Sequence, residues 1–519
     1  MDFEMESRML VSDATKPFLW IVIVGAFMAF FAAFGIGAND VANAFATSVG
    51  SKALTLRQAI GIAAVCEFSG AVLMGAHVTK TIRSGIADEE CFTTNPGILM
   101  YGMMCVDCAT GIWLLLASYL ELPVSTTHST VGGIIGMAMT YRGPECVQWH
   151  EETDVFPYMK GVSSIVASWF ISPVLAGVIT LVLFFVVRAL VLRSDHAVSR
   201  ALMLFPVLVA VTVTVNVFFI VYKGAPQLKL DETPLSEAFA WAFGLGALVG
   251  VIVFFAVLPR IKKNIRDLYN EDGTEKPVRG PARFMVAAKE VAVSKHTGLI
   301  GYVEGQLNQD MHKDCVEGSE YVSGIHSNAE KFDPRAEEVF KFVQVFTAIC
   351  DSFAHGANDV ANAIGPFSTI YFVYTDGAVT EEADTGGASY AILAMGGFGI
   401  VCGLTVYGYK IISAIGIKIA KITPSRGFAV ELGSAMTVII GTRLELPLST
   451  THCQVGSTAG VALLEGVGGL NMVVFGKSLL GWAVTVVICA VTTALLFAQG
   501  AYAPYVGDTI DVLTTTSSS

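Results

Sequence analysis

Two clusters of asparagine and aspartate in this chain share one eight-residue sequence. The first is Gly37-Ala38-Asn39-Asp40-Val41-Ala42-Asn43-Ala44, and the second is Gly356-Ala357-Asn358-Asp359-Val360-Ala361-Asn362-Ala363. Each ends a long apolar run, where an unpartnered carboxylate or amide is costly. Repeating that cost in two halves points to one site built by both. A second pair is longer: Leu120-Glu121-Leu122-Pro123-Val124-Ser125-Thr126-Thr127-His128 and Leu444-Glu445-Leu446-Pro447-Leu448-Ser449-Thr450-Thr451-His452. Proline followed by Ser-Thr-Thr is a helix-start pattern. A helix start inside a membrane offers free N–H groups and the positive end of the helix dipole. The hydroxyls of Ser125, Thr126, Thr127, Ser449, Thr450 and Thr451 add donors. Two such ends face to face suit a small oxyanion without any arginine. The oxygens of Asn39, Asp40, Asn43, Asn358, Asp359 and Asn362 suit a hard cation such as sodium. The i, i+4 spacing of Asn39 and Asn43 predicts one helix face. Gly35 and Gly37 predict local unwinding that frees backbone carbonyls.

The charges of the apolar segments are one-sided. Asp40, Glu67, Asp107, Glu121, Asp351, Asp359, Glu431 and Glu445 lie in or beside them, with Lys or Arg only near the ends of those spans, at Arg57, Lys341 and Arg443. Such a set cannot remain fully ionised in low dielectric. Either some carboxyls are protonated or mobile cations neutralise them. Glu121 and Glu445, beside prolines at membrane boundaries, read equally well as interfacial residues. His355 precedes the second octapeptide where Ile36 precedes the first, and that asymmetry marks it for a proton or substrate role. His128 and His452 read either as proton-coupling groups or as packing. Ten cysteines are scattered without metal-ligand spacing. Cys105 and Cys108 sit in an apolar helix and read as core residues, whereas Cys91 and Cys146 fall in outer loops where a disulfide is open.

These residues need a membrane scaffold. The chain has 519 residues, 53% hydrophobic and only 15% charged, with a mean hydropathy of +0.62. Soluble domains carry about 25% charged residues. Many runs reach the roughly 20 residues that cross a bilayer. The net charge of -12, without a basic stripe, excludes a nucleic-acid partner. The fold class expected is an all-α polytopic membrane protein of about 12 segments in two inverted repeats, with re-entrant or broken helices. The segments fall near 17–48, 57–77, 98–120, 122–141, 161–188, 200–222, 236–258, 339–370, 389–410, 427–444, 447–468 and 474–499. The organisation expected is a tail at 1–16, a first repeat at 17–188, connecting helices at 189–258, a polar and partly disordered loop at 259–338, a second repeat at 339–499 and a tail at 500–519. Sliding the halves on the Ser-Thr-Thr match also pairs Asp107 with Glu431. An odd number of crossings separates the octapeptides, so the halves are inverted, which is a transporter signature. Segments 49–57, 188–200, 259–338 and 410–426 hold most of the 32 Lys and Arg. The positive-inside rule then puts that loop in the cytoplasm and both termini outside. Nothing in residues 1–16 reads as a transit peptide, which favours the plasma membrane.

The paired octapeptides and paired Leu-Glu-Leu-Pro-x-Ser-Thr-Thr-His stretches resemble the inorganic phosphate transporter (PiT) family, most of all its eukaryotic sodium-dependent symporters. The resemblance covers nearly the whole chain. It implies that the two Ser-Thr-Thr turns contact phosphate. It implies sodium sites lined by Asp40, Asn39, Asn43, Asp359, Asn358 and Asn362. It matches Glu67 and Glu431 to glutamates needed for transport, and His355 to a histidine linked to activity. Asp107 joins this coupling set through its pairing with Glu431. It implies no cofactor beyond sodium as co-substrate, and partners limited to phosphate, sodium and lipid, with homodimerisation left open. Proton coupling and a non-transporting phosphate sensor remain the alternatives. An intramembrane hydrolase is disfavoured, because a catalytic set gains nothing from inverted duplication.

Overall fold

The computed structural model describes residues 16–76, 79, 82, 85–154, 158–222, 233–270, 272–276, 298–307, 311–377, 379, 387–443 and 448–502. The two tails, residues 277–297 of the polar loop, and Leu444 to Pro447 with Glu445 lie outside them. The chain is helical almost throughout. Helix α1 spans Leu19–Asn39 and α2 spans Ala42–Gly50. They are followed by α3 (Leu56–Met74), α4 (Pro96–Tyr119) and α5 (Thr126–Arg142). Then come α6 (Val162–Val187), α7 (Ala197–Val221), α8 (Leu235–Ile252) and α9 (Leu258–Leu268). The polar segment contributes α10 (Gly298–Leu307) and α11 (Glu320–Asn328). The second half holds α12 (Pro334–Asp376), α13 (Gly387–Tyr407) and α14 (Tyr409–Ser413), which runs into a π-helical turn at Ala414–Lys418. It ends with α15 (Pro424–Arg443), α16 (Thr450–Leu463) and α17 (Met472–Tyr502). A two-residue hairpin pairs β1 (Glu151–Glu152) with β2 (Met159–Lys160).

Eight helical stretches among the described residues are long and apolar enough to cross a membrane. Helices α5, α12, α15 and α16 are not among them. Their buried faces hold the polar motifs, so they face protein rather than lipid. Lipid-type exposure falls on α6, α7 and α17, with Phe170, Met203 and Leu495 bare, as expected of a polytopic bundle.

The halves interlock by exchanging helices. Helix α5 packs on α17, and α16 packs on α6. Each half-helix carries a Gly-x-x-x-Gly row, Gly132/Gly136 and Gly456/Gly460. A Cβ at Gly456 would meet the Pro173 backbone, and one at Gly132 the Val486 backbone. Small residues of this kind let membrane helices approach backbone to backbone.

Two expectations about the octapeptides are corrected. The first copy is broken at Asp40–Val41, where α1 gives way to α2. The second copy does not end a crossing; it lies inside α12, a 43-residue helix. Gly35 and Gly37 do not unwind α1. An added Cβ at Gly37 would collide with the Ile400 carbonyl, and one at Gly403 with that of Phe34. Those glycines therefore serve close packing of α1 on α13.

One end of the bundle gathers the basic segments. Arg188 and Arg193 both pair with Glu330, and Arg426, 1% exposed, pairs with Glu465 at 2.6 Å. Hydrogen bonds from Arg193 and Arg188 hold the Glu330 carboxyl below its usual range. The other end carries the Cys91–Cys146 disulfide, with Cα atoms 5.8 Å apart across 55 residues. This closed loop constrains the unfolded chain. Cys91→Ser or Cys146→Ser is expected to cost about 4 kcal/mol, read as a lower melting temperature that reducing agent reproduces in the parent protein.

Candidate functional site

Helix α5 begins at Thr126 because Ser125 caps it, accepting from the His128 N–H at 3.2 Å. Helix α16 begins at Thr450 in the same way, with Ser449 accepting from the His452 N–H at 3.3 Å. The serine oxygens thus cap the two helix starts as acceptors. The two starts are cross-stitched. Thr127 Oγ1 donates to the Leu448 carbonyl at 3.2 Å, and Thr451 Oγ1 donates to the Val124 carbonyl at 3.0 Å.

The carboxylates and amides meet these starts both within and across the two halves. Asp40 Oδ1 accepts from Asn43 Nδ2 at 2.9 Å and from Thr451 Oγ1. Asp40 Oδ2 accepts from the Thr126 backbone N–H at 3.3 Å. Asn43 Nδ2 also reaches Thr451 Oγ1 at 3.0 Å. In the other half, Asp359 accepts from Thr450 Oγ1 at 2.8 Å and from Asn358 Nδ2 at 2.8 Å. Asn362 Nδ2 donates to Thr126 Oγ1 at 3.1 Å. All of these residues are buried. The side-chain oxygens of Asn43, Asn358 and Asn362 have no hydrogen-bond partner among the described residues. A buried cluster with carboxylate, amide and hydroxyl oxygens, three of them unengaged, is suited to hard cations.

The remaining site residues distribute differently. Asn39 does not share Asn43's face, because the chain breaks between them; it holds Ser118 Oγ at 3.1 Å, the Leu122 carbonyl at 3.0 Å and the Val124 N–H at 3.1 Å. Its part is to anchor the start of α5. Glu67 does join the cluster. Its Oε2 lies 2.9 Å from His355 Nδ1, and His355 Nε2 lies 2.9 Å from Asp359 Oδ2. Glu67 also accepts from Ser352 Oγ at 2.9 Å. The His355 ring therefore sits between two carboxylates, and it carries positive charge only when protonated. Glu431 stands apart, accepting from Thr47 at 2.5 Å, Ser48 at 2.7 Å, Thr347 at 2.6 Å and Gln344 at 3.4 Å. Asp107 is buried with neither oxygen bonded among the described residues. Pairing Asp107 with Glu431 in sequence thus matches position but not environment.

Thr47, Ser48, Gln344, Thr347 and Ser352 were missed. Thr47 stands one turn beyond Asn43, and Ser352 one turn before His355, so helical spacing carried that signal. His128 and His452 also gain a definite setting. His128 Nδ1 reaches the Trp482 carbonyl at 3.1 Å, and His452 Nδ1 the Trp169 carbonyl at 3.0 Å. Each ring packs on the other tryptophan, with centroids 3.9 Å apart for His128–Trp169 and 3.7 Å for His452–Trp482. The pair clasps α5 and α16 where they meet.

Inverted half-helices aimed at buried carboxylates define a secondary-transporter architecture. The chain belongs to the phosphate transporter family, whose sequence model matches residues 36–493. It is 31% identical to a sodium-dependent phosphate transporter 1-A of Danio rerio over 92% of this chain and 94% of that protein. It is 30% identical to the phosphate-repressible phosphate permease pho-4 of Neurospora crassa, over 92% and 97%. It is 35% identical to the chloroplastic inorganic phosphate transporter 2-1 of Arabidopsis thaliana, over 90% of this chain and 70% of that one. A solved structure described as the sodium-dependent phosphate transporter superimposes with a TM-score of 0.70 at 32% identity, covering 92% of this chain and 98% of that chain.

The Glu431 cage permits a direct check. Thr347→Val removes one donor from a buried carboxylate and should destabilise the protein by about 1–3 kcal/mol. The readout is the melting temperature of purified protein, with Thr375→Val, on an exposed hydroxyl, as a near-neutral control.

Proposed function

We propose that this chain imports inorganic phosphate together with sodium, as a symporter working by alternating access. The observation that carries the reading is the cross-repeat oxygen cluster of Asp40, Asn43, Asp359 and Asn362 around the Thr126–Thr127 and Thr450–Thr451 helix starts. The helix starts supply N–H and hydroxyl donors for an oxyanion. The aspartates and the amide oxygens supply sodium ligands. Rocking one repeat against the other about this point exposes it to each side in turn.

The sidedness follows from charge. The face holding Arg188, Arg193, Lys418 and Arg426 is assigned to the cytoplasm by the positive-inside rule, with His326 and Glu330 of the polar segment beside it. The Cys91–Cys146 disulfide then lies outside, where such bonds persist. Both termini fall on that outer side, and the plasma membrane is the assigned location.

His355 between Glu67 and Asp359 favours a second reading for one coupling step, in which a proton on His355 substitutes for a cation at Asp359. Uptake into proteoliposomes with sodium and pH gradients imposed separately decides between them. Sodium-driven accumulation at zero pH gradient is expected, and uptake driven by the pH gradient alone overturns sodium coupling.

Two substitutions test the site. Asp40→Asn and Asp359→Asn should each abolish sodium-stimulated uptake while the protein still reaches the membrane; retained sodium dependence in both would reject the ion site. Thr127→Val should raise the phosphate KM more than the sodium KM, and equal shifts would count against separate phosphate and sodium roles.

A further inference from the structure

The end of α4 holds a residue in a conformation that its side chain disfavours. The Leu122 N–H donates to the Ala117 carbonyl at 2.9 Å and the Glu121 N–H to that of Ser118 at 3.2 Å. This is a Schellman cap, whose penultimate position is left-handed and usually glycine. Here it is Glu121, at φ +57°. A left-handed residue with a Cβ, beside a binding site, persists where something else fixes it. The Glu121 side chain pairs with Lys418, whose Nζ lies 2.5 Å from Glu121 Oε2.

The two partners belong to opposite sides of the α1–α2 break. The Glu121 side is tied to the end of α1, since Asn39 grips the Leu122 carbonyl and the Val124 N–H. The Lys418 side is tied to α2, because Gly50 and Gly416 cross with no room for a Cβ on either. The Lys418 carbonyl is in turn held by Asn471 Nδ2 at 2.9 Å. The ion pair therefore closes a ring around the broken helix that presents Asp40 and Asn43. Only Leu122 to Ser125, outside any helix, separate Glu121 from the helix start; four residues reach at most about 14 Å. The side chains of Glu121 and Lys418 are 43% and 28% exposed. They line a cavity of about 330 Å³ that also meets Lys410, Gln306 and Cys315.

We propose that the Glu121–Lys418 pair is a clasp that closes the transport site toward the face carrying residues 259–338, with the 330 Å³ cavity as its vestibule. The proposal rests on the transport reading above and names two positioning residues within it. Breaking the clasp shifts the carrier toward the state open to that face. Phosphate arriving from the opposite face then finds fewer competent carriers, which raises its apparent KM and leaves chemistry at the site unchanged.

The test is sodium-driven phosphate uptake into proteoliposomes by the full chain. Glu121→Gln and Lys418→Gln should each raise the phosphate KM by about threefold, the size set by a partly exposed ion pair, at normal abundance. Glu121→Gly should do the same although glycine suits the left-handed cap better, so misfolding does not account for it. The exchanged pair, Glu121→Lys with Lys418→Glu, should restore the parent KM. Single variants with the parent KM, or an exchanged pair that folds and stays defective, would overturn the clasp. Hydrogen exchange gives an independent reading: the Val124 and Thr126 amides should exchange faster in Glu121→Gln and return to the parent rate in the exchanged pair. Unchanged exchange also overturns it. A parent protein that takes up no phosphate under a sodium gradient rejects the transport reading itself, and exchange still decides the clasp.

Discussion

Everything in this bundle is arranged around the cost of burying carboxylates. Asp40, Glu67, Asp107, Asp351, Asp359 and Glu431 are each 4% exposed or less, and an ionised carboxylate so placed needs donors or a cation. The donors come from helix starts, which carry unpaired N–H groups wherever a helix begins inside the protein. Hence α5 and α16 start inside the bundle, beside the carboxylates. From there α5 runs to the end where Arg142 meets Thr94, and α16 to the end where Arg188 meets the Leu464 carbonyl. The helix exchange, in which α5 leans on α17 and α16 on α6, supplies the rigid backing that a mid-membrane helix start requires.

The paired helix starts at Thr126 and Thr450 are capped alike, but the chemistry around them is not symmetric. Asp40 takes a donor from the second half's Thr451, whereas Asp359 takes one from its own half's Thr450. Only the second aspartate has a histidine beside it, with Glu67 beyond. Glu431 is enclosed by four donors, while Asp107 has none among the described residues. Two chemically distinct ends suit a carrier whose two faces meet different ion concentrations. A perfectly symmetric site would bind its ions alike from either side.

Much of this was legible in the sequence, and what was not has a physical reason. The helix starts at Ser125 and Ser449 follow from local capping chemistry, and the structure has them. The Cys91–Cys146 bond, open from sequence, is formed. What spacing could not give is contact between helices. Glu67 and His355 are 288 residues apart and touch because α3 and α12 cross tightly, with Gly70 and Gly356 at the crossing. The break at Asp40–Val41 against the unbroken α12 was also invisible, since the two octapeptides are identical. Their surroundings differ: Gly416 closes on α2, after the break, whereas Gly70 closes on α12 beside Phe353 and Ala357, just before and within the second octapeptide. Glycines near a motif signalled flexibility in the sequence and close packing in the structure, because a missing Cβ serves both.

The electrostatics explain why coupling is built into such a site. A phosphate oxygen about 4 Å from an ionised aspartate is opposed by roughly 4 kcal/mol at an effective dielectric near 20. Helix starts and hydroxyls offset part of this, and a cation on the aspartate removes the repulsion itself. Anion and cation then each raise the other's affinity by the same factor, as linkage requires. His355 modifies the argument without reversing it. Its ring nitrogens face Glu67 and Asp359, the carboxylates that a proton on it would serve. The proposed cycle thus takes its direction from Asp40, whose bonded neighbours, Asn43, Thr126 and Thr451, are all neutral. A site neutralised wholly by fixed lysine or arginine would bind phosphate at any sodium concentration and could not draw on the sodium gradient.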